Sequence, residues 1–194
     1  MDLFSHPYPF AYYKGRAITF SRDTKTRASF FGGPSELKVS GMPHGPASLH
    51  HLATIDCRDF GMPLQKFGAS IPFLHGMNFE ACGLEYRPEY GRIEVTQIEP
   101  PVSEDGWPYF NYPKLLPYFP LRVEESIEMP LEVFSSAVMQ GVRESSSETL
   151  IVVIPPNPML GVSLWGNSGD MNEVQVIFTY DVDTGIMRSY DACT

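Results

Sequence analysis

The sequence predicts a β-rich α+β fold: mostly antiparallel sheet with one main helix near residues 130-144. Three observations lead there. Apolar residues alternate with polar ones over short runs, the period of a half-buried strand. The 194 residues hold 18 Pro and 16 Gly, spread so evenly that long helices are nearly excluded. One segment alone carries a good apolar stripe at helical spacing.

Taken in order, Ala17-Ile18-Thr19-Phe20, residues 49–57, residues 83–86 and Arg92-Ile93-Glu94-Val95-Thr96-Gln97-Ile98 read as strands. In the last of these, Ile93, Val95 and Gln97 are expected on one face, with Glu94, Thr96 and Ile98 on the other. Residues 130–144 place Leu131, Phe134, Val138 and Val142 down one helical side, and Pro130 suits a first helical position. The helix is expected to end before Ser145-Ser146-Ser147. Thr149-Leu150-Ile151-Val152-Val153-Ile154 is a β-branched block closed by Pro155-Pro156, the pattern of a sheet centre. Residues 173–180 alternate well and run through Asp181-Val182-Asp183-Thr184-Gly185 into residues 186–190, which predicts a hairpin.

The length suits a single domain, 1-194, with the acidic, proline-bearing stretch 99-106 as the place where two lobes would meet if there are two. No apolar run approaches the ~20 residues that span a bilayer. Met1-Asp2-Leu3-Phe4-Ser5-His6-Pro7 lacks the basic and apolar regions of a signal peptide, so a cytoplasmic protein is expected. Cys57, Cys82 and Cys193 are odd in number and far apart, which suits free thiols in a reducing compartment.

Net charge is −9, and the densest cations (Lys14, Arg16, Arg22, Lys25, Arg27) are scattered. Such a chain repels phosphate backbones, so no nucleic acid is expected as a ligand, while a basic protein partner suits it. No membrane association is expected.

Motifs for chemistry are weak. His50 and His51 are adjacent on a strand and point to opposite faces, so they cannot share one ion. His50 and Asp56 share a face but lie about 20 Å apart along an extended strand. His6, His44 and His75 stand in no ligand motif, and no metal site is expected. There is no nucleophile elbow and no glycine-rich phosphate loop; Gly32-Gly33 runs into Pro34. Cys57 reads as a buried thiol. Asp183-Thr184-Gly185 is similar to the aspartic-protease tripeptide, and Asp181-x-Asp183-x-Gly185 to half a calcium loop, but a hairpin turn explains both. No catalytic residues and no cofactor are assigned.

The segment 107–120 is less ordinary, with Trp107, Tyr109, Phe110, Tyr112, Tyr118 and Phe119 set among four prolines. Proline reduces the ordering cost of such a loop, and Tyr and Trp offer stiff amphipathic contact area. Either the rings form a recognition surface or they plug the side of the core. The N-terminal rings Phe4, Tyr8, Phe10, Tyr12 and Tyr13 are expected to pack back on the body.

Two separated segments carry a family resemblance. Ser29-Phe30-Phe31-Gly32-Gly33-Pro34-Ser35-Glu36-Leu37, followed by Leu49-His50-His51-Leu52-Ala53-Thr54-Ile55-Asp56-Cys57, resembles the start of the YwqG-like family. Trp165-Gly166-Asn167-Ser168-Gly169-Asp170 resembles that family's Trp-Gly-Asp-Ala-Gly loop before its closing strand. Thr54 stands where the family has Gln, and Asn167 where it has Asp. The resemblance implies a β-rich α+β fold in a bacterial cytoplasmic protein, with no established activity and no catalytic residues to carry over. The two glycines and the Trp165-Gly166 loop would then supply tight turns and an anchoring indole.

Three functions stay open. The preferred one is a non-enzymatic binding protein whose acidic, aromatic-bearing surface engages a protein, an immunity-type protein neutralising a toxin being one instance. Its binding residues would be Trp107, Tyr109, Tyr112, Tyr118 and Trp165. The second is a small-molecule or carbohydrate-binding module stacking sugars on Trp107, Tyr109 and Tyr112. The third is a hydrolase with an unrecognised site built from His50, His51 or Cys57.

Overall fold

The computed structural model describes residues 3, 5–41, 49–65, 67–77, 83–99, 115–142, 148–160, 162, 164–165 and 172–193. They form the strands β1 (Phe10–Tyr13), β2 (Arg16–Arg22), β3 (Phe30–Phe31), β4 (Lys38–Ser40), β5 (His50–Asp56) and β6 (Ser70–His75). There follow β7 (Gly83–Glu89), β8 (Arg92–Glu99), β9 (Phe119–Glu128), the helix α1 (Leu131–Ser136), β10 (Thr149–Ile154), β11 (Leu164–Trp165), β12 (Asn172–Asp181) and β13 (Ile186–Cys193). The strands are hydrogen-bonded in the order β4-β8-β7-β13-β12-β10-β1-β2-β9-β3-β5-β6, and β11 pairs with β12 beside that path. Pairing is antiparallel except for β4, which lies parallel to β8 and makes the sheet mixed.

The expected α+β class is corrected by this architecture: the fold is mostly β, and α1 has only six residues. The apolar stripe is real, but only its first part is helical. Phe134 is fully buried, and Ala137 and Val138 are buried beyond the helix end. The physical cause lies in competition for backbone donors. Met139 N–H, which a longer helix would give to Ser135, donates instead to Gln175 Oε1 on β12 at 2.8 Å. Gln140 and Gly141 then turn left-handed, at φ 60° and 70°, and the Ser135 hydroxyl takes the N–H of Val142 at 3.0 Å. Elsewhere the strand expectations for β2, β5, β7, β8, β10 and the β12–β13 hairpin correspond to strands. In β8 one face assignment is reversed: Gln97 is exposed and Ile98 buried. Glu85 pairs with Gln97 and Tyr86 with Val95, so Thr96 is a bulge that shifts the alternation by one residue.

Two apolar clusters share β10. Leu150, Val152 and Ile154 face the larger cluster with Ile18, Phe20, Val176, Phe178 and Met187. Ile151 and Val153 face the smaller one with Phe10, Ala17, Ile177 and Phe134. Burial on both sides explains the unbroken apolar run from Leu150 to Ile154 in this strand. Phe10 and Tyr12 of β1 pack against the Phe134 ring, at centroid distances of 5.7 and 5.1 Å.

The end of the sheet curls back over the larger cluster. β9 is the corner: Phe119 and Pro120 pair with β3, while residues 121–128 pair with β2. β6, last in the path, comes to lie over β7, β12 and β13. There the Phe73 ring meets Phe178 edge-on at 5.2 Å. The Tyr86 phenol accepts from Leu74 N–H at 2.9 Å and donates to Pro72 O at 3.1 Å. An edge strand inside a core would otherwise hold orphan backbone groups. Among the described residues no helix is long and apolar enough to cross a membrane.

Truncating Phe134 leaves a cavity under α1 with little able to refill it. Phe134→Ala is expected to cost about 3–5 kcal/mol, measured by urea unfolding, with the β signal of the folded protein retained.

Candidate docking surface

The residues considered for chemistry are tied into structural roles. Cys57 opens a short 3-10 turn after β5 and is fully buried; burial pushes its thiol pKa up, away from the reactive thiolate. His51 is held at both ring nitrogens. Gly32 O accepts from Nδ1–H at 3.0 Å, so Nε2 is left to accept from the Thr54 hydroxyl at 2.8 Å. That neutral ring is nearly buried, and desolvation pulls its pKa below 6.5. The Asp56 carboxylate caps the 3-10 turn through Arg58 N–H and pairs with the Arg58 guanidinium at 2.7 Å, which holds its pKa below the ordinary value. His50 is buried and lies across from His75 in the β5–β6 register. His44 and Cys82 lie outside the described residues, as does the Cys193 side chain.

One polar constellation was not anticipated from the sequence. His75, at the end of β6, places Nδ1 3.0 Å from Ser189 Oγ and Nε2 3.7 Å from Asp191 Oδ1 on β13. Serine, imidazole and carboxylate in a row suggest acyl-transfer chemistry. Yet His75 is 0% exposed and Ser189 2%, and the Ser189 hydroxyl also reaches Leu74 O at 3.4 Å. A substrate carbonyl has no way to meet that hydroxyl without opening the sheet; Ser189 ties β6 to β13 through His75 and Leu74, while His75 Nε2 makes no hydrogen bond among the described residues. The signal available in sequence was parity: Met187, Ser189 and Asp191 share one face of β13, against Arg188 and Tyr190. Its partner on β6 is more than a hundred residues away in the chain. Among the described residues, no group of three or more His, Cys, Asp or Glu is placed to hold a metal ion.

The surface is more informative. Of the proposed binding residues, Trp107, Tyr109 and Tyr112 lie outside the described residues. Trp165 is placed by its backbone in β11, opposite Asn172, and its side chain also lies outside them. Tyr118 is described and stands 51% exposed, with its ring 5.5 Å from Phe30. Gly32 and Gly33 hold this corner. Gly32 N–H donates to Leu52 O and Gly33 N–H to Leu116 O. Any Cβ on Gly32 would sit 2.2 Å from Pro117 O, and one on Gly33 would sit 2.9 Å from the Tyr118 ring. The pair therefore admits the chain that delivers Tyr118 into β9.

β9 continues from that corner as a row of exposed residues: Glu124, Glu125, Ser126, Ile127 and Glu128, followed by Glu132 on α1. Among the described residues, ion pairs engage Glu85, Glu89 and Glu148 but none of these four glutamates. The strand's hydrogen-bonding phase can be read from its neighbours. Phe20 N–H points to Pro9 O on the β1 side, so Ala17, Thr19 and Ser21 turn their backbones toward β9. Their partners Ile127, Glu125 and Arg122 turn toward β2, and the backbones of Ser126 and Glu128 face away. β3 ends its pairing at Pro120, so this side is open among the described residues. It is also guarded. A register shift at Glu124 disturbs the ladder, and Arg16 donates to Ser126 O at 3.1 Å.

No family model, no curated protein and no solved structure matches this chain.

Two measurements check these assignments. Gly32→Ala combines a left-handed φ of 59° with a backbone clash, whereas Gly15, at φ 77°, has open space around it. Gly32→Ala is expected to cost at least about 2 kcal/mol in urea unfolding, and Gly15→Ala only about 1. The lowered His51 pKa has a defined sign. Above 6.5 the ring is neutral in both folded and unfolded chains; below it the unfolded chain binds the proton more readily, so stability falls with falling pH. His51→Gln is expected to flatten the urea midpoint between pH 7 and the His51 folded-state pKa, relative to the unchanged chain.

Proposed function

We propose that this chain is a non-enzymatic, cytoplasmic binding protein that docks a basic protein surface on the acidic strand β9. The observation that carries the reading is the exposed row Glu124, Glu125 and Glu128, none of them in an ion pair among the described residues, in a chain whose net charge is already −9. Exposed apolar groups stand at both ends of it, Leu115 and Tyr118 before the strand and Val133 after it. Rings or aliphatic groups for contact, beside a field of one sign for steering, are the parts a fast and specific encounter needs. Arg16 and Arg122 interrupt the acids and would set the register of a partner's own charges.

An immunity-type protein that neutralises a basic toxin is the instance this chemistry favours, and nucleic acid is disfavoured by the same field. The cytoplasmic assignment is supported by the buried, unpaired thiol of Cys57. Kinship with the YwqG-like family belongs to this proposal too, supported by the close approach that requires Gly32 and Gly33.

The test is capture of a partner from lysate by the immobilised chain, followed by kinetics with the purified partner. Glu124→Gln, Glu125→Gln and Glu128→Gln together are expected to slow association by on the order of tenfold at low salt, and to flatten its dependence on ionic strength. A partner bound equally fast by the triple variant would remove β9 from the reading.

A further inference from the structure

A cleft of about 540 Å³ opens between the N-terminal segment, the turn that follows α1, the segment at Pro156 and Asn157, and the outer face of β12. Its size is that of small-molecule sites in general. Among the described residues that line it there is no carboxylate, ammonium or guanidinium. Such a lining suits an uncharged ligand.

Two side chains define what the ligand must present. Gln175 lies on β12 on the face opposite Val174 and Val176, whose side chains enter the larger cluster, and is itself only 5% exposed. Its Oε1 accepts from Met139 N–H at 2.8 Å, which fixes the rotation of the amide. Among the described residues its Nε2 has no protein acceptor, and the residue lines the cleft, so that donor is open to water or to a ligand. His6 complements it. Its Nε2 lies 2.9 Å from Phe20 O, and a carbonyl can only accept, so Nε2 carries a proton and Nδ1 is the nitrogen left to accept. The ring is set edge-on against Tyr8 and Phe10, each at 6.4 Å between centroids. Asn157 is engaged at both ends, by Pro7 O and by Met159 N–H, and so serves to hold the wall.

We infer that this cleft binds a small uncharged molecule through an amide group, whose carbonyl accepts from Gln175 Nε2 and whose N–H donates to His6 Nδ1. Pro7, Met139 and Pro156 flank the pair with apolar surface that suits the substituents of a secondary amide. Such an amide reaches the protein either in a peptide or in an N-acetylated sugar. The inference is independent of docking on β9, because it needs no partner protein.

The experiment is titration of the full chain, followed by protein NMR, with N-acetyl-L-alanine N-methylamide and with N-acetylglucosamine. Methyl O-acetyl-lactate, which replaces each amide N–H by an ester oxygen, and glucose serve as controls. Saturable shifts with one or both amides support the inference, and the arm that binds tighter names the source. Gln175→Glu keeps the acceptor for Met139 N–H but removes the donor, and is expected to weaken binding at least about tenfold. His6→Phe, which keeps the ring packing, should do the same. Absence of binding by both amides, equal binding of the controls, or unchanged affinity in both variants would overturn it.

Discussion

The closed shape of this sheet depends on how the outer edge of β6 is satisfied. A strand that ends a sheet and is then laid over a core carries its unpaired N–H and C=O groups away from water, and each such group costs free energy if left alone. Here the Tyr86 phenol takes two of them at once, from Leu74 and at Pro72. Ser189 and His75 complete the seam one residue further on. Tyr86 is itself fully buried, with its pKa pushed well above the ordinary phenol value by desolvation. Because these partners are side chains on β7 and β13, the curl has one register. The aromatic contacts above the core, Phe73 on Phe178 among them, follow from that register.

The same geometry accounts for a proline in a buried strand. Pro72 pairs with Thr54 on one side, and its carbonyl, with the Leu74 N–H two residues on, faces the outer edge. The donor that proline lacks would have pointed to that edge, where no strand pairs with β6 among the described residues. In sequence, Ser70-Ile71-Pro72-Phe73-Leu74-His75 gives no such information, and a proline there argues against a strand. β9 is hidden for a related reason: Pro120 is its second residue, and the register shift near Glu124 breaks the alternation that would reveal it.

What could be read was read where one physical signal acted alone. β10 is apolar from Leu150 to Ile154 because both of its faces are covered, and the β12–β13 hairpin follows from alternation joined by a turn that carries Asp183 and Gly185. Where two signals compete, pattern alone misleads. The stripe from Leu131 to Val142 buries as a helix face would, yet a glutamine on a distant strand takes the backbone donor that would have extended the helix. The surface was legible as a charge and not as a place: acidity is a sum over the chain, but collecting three glutamates on one exposed strand is a product of topology. The buried trio at His75, Ser189 and Asp191 needed coordinates, since no local spacing encodes a meeting across the curl.

The guarded side of β9 bears on how the molecule behaves at high concentration. Two copies brought together along that edge in antiparallel fashion would oppose glutamate to glutamate and would have to dislodge Arg16 from Ser126 O. Neither cost is large by itself, but both fall on the one seam such a pair would make. Each copy would spend the same edge there, so the pairing would close as a two-fold dimer, and even that closed pair is discouraged along this strand.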